Sequence, residues 1–288
     1  MHRYICPPIP ATFRKSVSTV RKDVRTSVKG GGVLTFPPHW SKIKAAFMQA
    51  QHGKCGFCEG RVLGLQYGDV EHYRPKGAVE VLDHASPATW GKEVPWSSTV
   101  KGRDTKSHSS TGYWWKAYSW GNYLVACQTC NQQWKKCLFP TADPLPRQLP
   151  SIQHRELALL LNPFGKIDPA LHLAFGRMGE VTAYNGSVLG HATILTCGLD
   201  RPSLRQARYN LARATHERID EISSDINNHD LYILLRGILT SGHADQSHCG
   251  MVRAIFRQRM EMSWDMLERL VIKLASAIAL PPHRLCDC

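Results

Sequence analysis

The sequence has no long apolar run. Its longest, such as Leu157–Leu161 and Ala277–Leu280, fall far short of the roughly 20 residues a membrane-spanning helix needs. The opening MHRYICPPIPATFRK lacks the basic-then-apolar order of a secretory leader. A cytoplasmic chain without membrane contact is the expectation, and there cysteines serve more often as metal ligands or free thiols than as disulfides. No internal repeat is visible. Acidic residues are scarce: 23 Asp and Glu face 36 Lys and Arg, a formal charge of +13 over 288 residues. That imbalance points to a polyanionic partner. Charge alone does not separate nucleic acid from a membrane surface or an acidic protein. With 43% hydrophobic and 20% charged residues, disorder throughout is excluded and a real core can form.

What is present is unevenly spread. Residues 1–40 are rich in Pro, Ser, Thr and basic residues, among them Arg14, Lys15, Arg21, Lys22, Arg25 and Lys29 before Gly30-Gly31-Gly32. They read as an extended or partly helical basic arm. Ser41–Gln51 has the apolar spacing of a helix, with Ser41 as its cap. Arg61–Tyr73 reads as β structure with Gly60, Gly64 and Gly68 as turn residues. The run SSTVKGRDTKSHSSTG, about 97–112, has almost no apolar content and reads as a mobile loop. Tyr113–Trp120 suggests a short helix, Asn131–Leu138 another, and Pro140–Pro150 a linker. Leu171–Phe175 and Glu180–Tyr184 flank a hairpin turn. Beyond Arg201 the chain reads as helical, over Leu204–Ile226, Asp230–Leu239 and one long stretch near His248–Ile278.

Ten cysteines are present, and four form two Cys-x-x-Cys pairs, Cys55/Cys58 and Cys127/Cys130. Each spacing lets two thiolates grip one ion from a tight knuckle, and two knuckles complete a tetrahedral zinc site. Four thiolates leave no open position, so such a zinc would staple the fold rather than catalyse. Cys6, Cys137, Cys197 and Cys249 read as buried or stray thiols. Cys286 and Cys288 could bind a metal or nothing. Between the knuckles stands Val70-Glu71-His72-Tyr73-Arg74-Pro75-Lys76. A carboxylate beside a histidine, before a proline-bent turn, can offer an oxygen ligand and a general base together. Further on come Tyr118-Ser-Trp120-Gly-Asn122, then Cys130-Asn131, Lys135-Lys136 and Phe139-Pro140.

The order knuckle, Glu-His, Asn, knuckle, Asn, Lys resembles the HNH endonucleases of the ββα-metal type. With Leu161-Asn162-Pro163-Phe164, Asp168-Pro169, His172 and Gly198-Leu199, it is similar to the PtuB-type subfamily over about residues 40–210. The resemblance implies that His72 is the general base and Glu71 a ligand of the catalytic divalent metal. Asn122 would steady the loop that carries the base. Asn131 would be a second metal ligand on a helix, making an HNN variant. Lys135, four residues on and so on the same helix face, would contact phosphate with Arg74, Lys76 and Lys136. Oxygen ligands favour magnesium or manganese at that site, beside a structural zinc on the four cysteines. The implied fold is α+β: a zinc-stapled ββα-metal core at 46–145, a basic arm and lead-in helix at 1–45, and a mainly α-helical part with a hairpin at 146–288. The implied activity is phosphodiester hydrolysis in anti-phage defence, on DNA or on RNA such as tRNA. The implied partners are an ABC- or SMC-like ATPase of the PtuA type and, in some systems, a retron reverse transcriptase. The alternative is a zinc-dependent subunit that binds nucleic acid or a partner without cutting.

Overall fold

The structure, a computed structural model, describes residues 1–64, 68–82, 105–109, 112–142 and 156–278; at 81–82 and 105–109 it describes the backbone alone. The linker beyond residue 142, most of the 97–112 loop, Lys101, Trp90, Trp96, His154, Cys286 and Cys288 lie outside the described residues.

The first 29 residues are more ordered than a basic arm. Helix α1 spans Ala11–Lys29. Phe13, Val17 and Val24 recur at helical spacing and are buried. Phe13 meets the rings of Trp120 and Tyr123 edge-on, at centroid distances of 5.1 and 6.0 Å. A 3-10 turn, His39–Ile43, leads into α2, Lys44–Ala50, so the single helix expected at 41–51 is split between two windings. Just past α2 the wholly buried Gln51 clamps three segments. Its amide donates to the carbonyls of Lys54 and Val125, both at 2.8 Å, and its oxygen accepts from the Val125 amide at 2.7 Å.

Among the described residues the strands form three two-stranded antiparallel sheets. β1, Gly68–His72, pairs with β4, Tyr123–Cys127, in a register that sets Gly68 opposite Cys127 and His72 opposite Tyr123. Every residue of β4 is buried, as its unbroken apolar run requires. Of the β structure expected from Arg61, the described residues form an isolated bridge between Arg61 and Lys54 and then β1. Gly68 is the first strand residue rather than a turn, at a position where a Cβ would stand 2.3 Å from Val62 Cγ1. β2, Val79–Leu82, pairs with β3, Thr105–Ser109, so five residues expected in a mobile loop are a strand. β5, Leu173–Phe175, pairs with β6, Val181–Ala183, where the hairpin was expected.

Residues 129–135 form a π-helix rather than an α-helix, and the Lys136 amide closes an i to i+5 bond on the Asn131 carbonyl at 2.8 Å. The chain after β6 is helical: α3 Val188–Cys197, α4 Pro202–Asp220, α5 Asn228–Ser241, α6 Cys249–Met260 and α7 Trp264–Ala277. Helix α3 was not expected. The Ser187 side chain caps its start and Gly198, at φ 59°, ends it in the left-handed conformation. The long helix expected near 248–278 is two, broken where Glu261 takes φ 51° and Ser263 caps α7 by accepting from the Met266 amide. Asn162 and Asp168 do the expected turn and capping work, accepting from the amides of Phe164 and Ala170.

One continuous cluster of buried residues runs from the amino-terminal segment to α7, joining Phe13 and Phe47 to Leu124, Phe256 and Leu274. Polar ties fasten the helices to the first knuckle. Lys54, fully buried, donates to the carbonyls of Ala244 at 2.5 Å and Gln246 at 2.8 Å. Glu59 accepts from the Gly250 amide at 2.8 Å and from the Cys249 thiol at 3.2 Å, and its other oxygen lies 2.6 Å from the Met1 amine. His248 Nδ1 is 2.9 Å from the Cys58 carbonyl.

Candidate active site and metal centre

The first site is sulfur. Cys55 and Cys58 lie in the turn after α2, Cys127 ends β4 and Cys130 opens the π-helix. All four are buried, and their sulfurs lie within 4.8 Å of one another. The Cys58 and Cys127 sulfurs are 3.9 Å apart. A zinc ion at about 2.3 Å from each of four thiolates sets sulfurs about 3.8 Å apart, so this donor set fits tetrahedral zinc. Hydrogen bonds from the neighbouring sulfurs push the Cys58 and Cys127 thiols down. Burial pushes Cys55 up, and bonds to its sulfur neighbours push Cys130 up. Arg201 stands beside the cluster, with Nη1 3.6 Å from the Cys130 sulfur. Burial works against its charge, but Cys130 and Cys58 outweigh that and hold its pKa above the ordinary value. A cation there offsets the net negative charge of four thiolates on one divalent ion. Nothing in the spacing of the sequence marked Arg201, Lys54, Glu59 or Gln51, because each reaches its partner across the fold.

The second site lies at the other end of the β1–β4 ladder. Alternation along β1 sends neighbouring side chains to opposite faces. Glu71 turns toward the π-helix, where Lys135 Nζ lies 2.5 Å from its Oε1. The same amine donates to the His72 carbonyl at 3.0 Å. Lys135 is 0% exposed and Glu71 7%. Burial pushes the Glu71 carboxyl up, against the pull of the Lys135 ammonium. His72 turns the other way, between Trp40 and Tyr123, at centroid distances of 4.8 and 5.1 Å. Its Nε2 lies 2.9 Å from the Ala117 carbonyl. A carbonyl only accepts, so Nε2 carries the hydrogen and Nδ1 keeps the lone pair. Burial, then the charge of Lys76, lowers its pKa to about 3, so the ring is neutral near pH 7.

Asn122 binds the turn after His72 at both backbone poles. Its oxygen accepts from the Arg74 amide at 2.8 Å, and its amide donates to the carbonyls of Arg74 at 3.0 Å and Lys116 at 3.1 Å. Asn131 is half-buried on the π-helix, one residue past Cys130. The four basic residues expected at phosphate divide. Arg74 forms an ion pair with Glu156 at 2.5 Å, between the rings of Tyr113 and Phe139 at 4.9 and 4.6 Å. It and Lys135 are engaged in ion pairs inside the protein in this arrangement. Lys76 is half-buried, with its amine 4.6 Å from the Trp40 ring centroid, and Lys136 is exposed. His172 is held by Ser187 Oγ at 2.7 Å, and burial lowers its pKa and that of His191; both residues fit structural roles.

Fold and site together define a mixed helix-and-sheet protein with a buried four-cysteine cluster suited to zinc. No protein-family model matches the chain. Over 172 residues, 59% of the chain, it is 32% identical to the Septu protein PtuB of Bacillus mycoides (strain KBAB4), and that stretch covers 51% of the relative. This likeness supports the PtuB-type family for the chain, which spans about half the length of the curated relative it matches. No helix among the described residues is long and apolar enough to cross a membrane.

Proposed function

We propose that the chain is a metal-dependent endonuclease of the HNH type, acting in a Septu-type anti-phage defence system. The observation that carries this reading is Asn122, which holds the turn after the Glu71-His72 dipeptide by two hydrogen bonds to Arg74 and ties it to the Lys116 carbonyl by a third, while the cysteine pair anchors the adjoining helix. Binding alone does not require a histidine with a free Nδ1 on so fixed a turn. In this reading His72 Nδ1 takes the proton from the attacking water, and Ala117 keeps the ring in the tautomer that can do so. Glu71 and Asn131 supply two oxygen donors, about what a magnesium-type ion takes from protein when waters and phosphate fill its other positions. Such an ion, when bound, stabilises charge on the phosphate and on the leaving oxygen. Lys136 and Lys76 neutralise flanking phosphates.

The arrangement described above is closed. His72 is 5% exposed and Glu71 is paired with Lys135. Cleavage therefore requires Trp40 to leave the imidazole and Lys135 to yield the carboxylate. We assign that opening to an ATPase partner of the PtuA type. The second reading, a subunit that binds without cutting, draws its support from the same ion pair, which satisfies Glu71 without a metal.

The test incubates the chain, alone and with a PtuA-type ATPase, with DNA duplex and with tRNA in magnesium. Cleavage that disappears in His72→Ala supports the endonuclease. Equal cleavage by His72→Ala removes the assigned base. Binding without cleavage in every combination establishes the second reading.

A further inference from the structure

Helix α1 has a second face. Arg14, Lys15, Arg21, Lys22, Arg25 and Lys29 are all exposed. At roughly 100° per residue they fall within an arc of about 120°, with Ser18 near its middle. Asp23, the only acid of the helix, lies outside that arc. Because Phe13, Val17 and Val24 dock α1 on the core, the basic arc is held outward in a fixed orientation. It also adjoins the second site. The Arg21 guanidinium donates to the Tyr118 carbonyl, one residue from the carbonyl that orients His72. The 3-10 turn that follows presents Lys42 to solvent and carries Trp40, whose ring edge packs on His72.

We propose that this face of α1 is a track for the phosphate backbone of a nucleic acid, leading it to the Glu71–His72 turn; the inference rests on nucleic acid being the ligand of that site. From Arg14 to Lys29 the helix rises about 22 Å, at 1.5 Å per residue. That is the axial rise of about six phosphates along one strand of a duplex, and six cations line the arc. A lipid surface fits poorly. An interfacial helix needs its apolar stripe free to enter the acyl boundary, and here that stripe is packed against Trp120 and Tyr123.

The experiment measures binding of a DNA duplex of about 20 base pairs by fluorescence anisotropy across a salt series, since phosphate contacts are read in the salt slope. The full chain carries His72→Ala, and no divalent metal is present. Arg14→Gln, Lys15→Gln, Lys22→Gln and Arg25→Gln are combined. The control combines Arg213→Gln, Arg236→Gln, Arg269→Gln and Lys273→Gln, which are exposed on α4, α5 and α7. All eight positions are exposed, and circular dichroism checks that both variants fold. The α1 variant is expected to bind at least roughly tenfold more weakly at about 0.15 M salt, with a salt slope shallower by about 3.6, or 0.9 per contact. The control keeps both values. Equal losses in the two variants overturn the track, because bulk charge then explains binding. Unchanged binding by the α1 variant overturns it too. So does a parental chain that holds phosphatidylserine vesicles but no nucleic acid. Loss confined to the α1 variant upholds the track even if no cleavage is ever seen; cleavage with unaltered α1-variant binding removes the track and leaves the endonuclease.

Discussion

The two ends of the β1–β4 ladder solve different problems with the same pair of strands. At the Gly68–Cys127 end, four donors of one kind face inward, with the Arg201 guanidinium beside them. At the His72–Tyr123 end, the donors differ in kind, point to opposite faces and are already satisfied by an amine and a carbonyl. The first end is a donor set suited to a single ion. The second is complete until something opens it. A structural metal site needs its donors preorganised and sealed, whereas a reacting site must be able to exchange partners.

This contrast can be broken most violently at the sulfur end. Cys127→Ser is expected to abolish zinc retention and, with it, cooperative folding, since ion binding of about 10–16 kcal/mol in small zinc folds is folding energy. Metal analysis and thermal unfolding read this together; a variant that stays folded without zinc would sink the staple. At the other end, Lys135→Ala leaves the Glu71 carboxylate buried and unpaired and should cost about 3–5 kcal/mol in denaturant unfolding. Glu71→Gln combined with Lys135→Met should recover most of that loss; failure to recover would mean that packing, not charge, is what Lys135 supplies.

The smallest effect is a pH dependence at His72. Its folded pKa of about 3 lies below the ordinary value of 6.5, so the unfolded chain binds a proton that the folded chain refuses. The stability this represents is fully present above pH 6.5 and falls away as pH drops toward 3. Between pH 6.5 and 5 the loss is about 2 kcal/mol at most, from about 1.4 kcal/mol per unit. Other histidines with lowered pKa values, such as His2, add to the raw slope. The readout is therefore the difference between the parent and His72→Asn, whose slope should be shallower by one proton. Identical slopes would show that the imidazole is not held neutral by burial.

What the sequence showed follows the range of the interactions. The two knuckles were legible because each is a four-residue local pattern, and the four sulfurs do meet. Asn122 was legible only through resemblance, yet its hydrogen bonds to the Arg74 backbone are a sequence-distant contact that spacing does not encode. The ion pairs of Lys135 and Arg74 were not legible because the sequence shows a charge but not its partner: Glu71 and Glu156 lie 64 and 82 residues away. Helix α1 was underestimated because its cations obscured a buried stripe of Phe13, Val17 and Val24. The break at Glu261 went unseen because a left-handed residue that is not glycine has no strong signature.

The π winding at Thr129–Lys135 has a wider consequence. Cys130 and Lys135 are five residues apart; in an α-helix they would point about 140° away from each other, while the wider winding swings them toward a common side. Both are fully buried there. One short helix thus carries a sulfur of the first site and the amine that neutralises Glu71 in the second. The two ends are an interlock: a change that displaces Cys130 displaces the seat of the buried lysine in the same event.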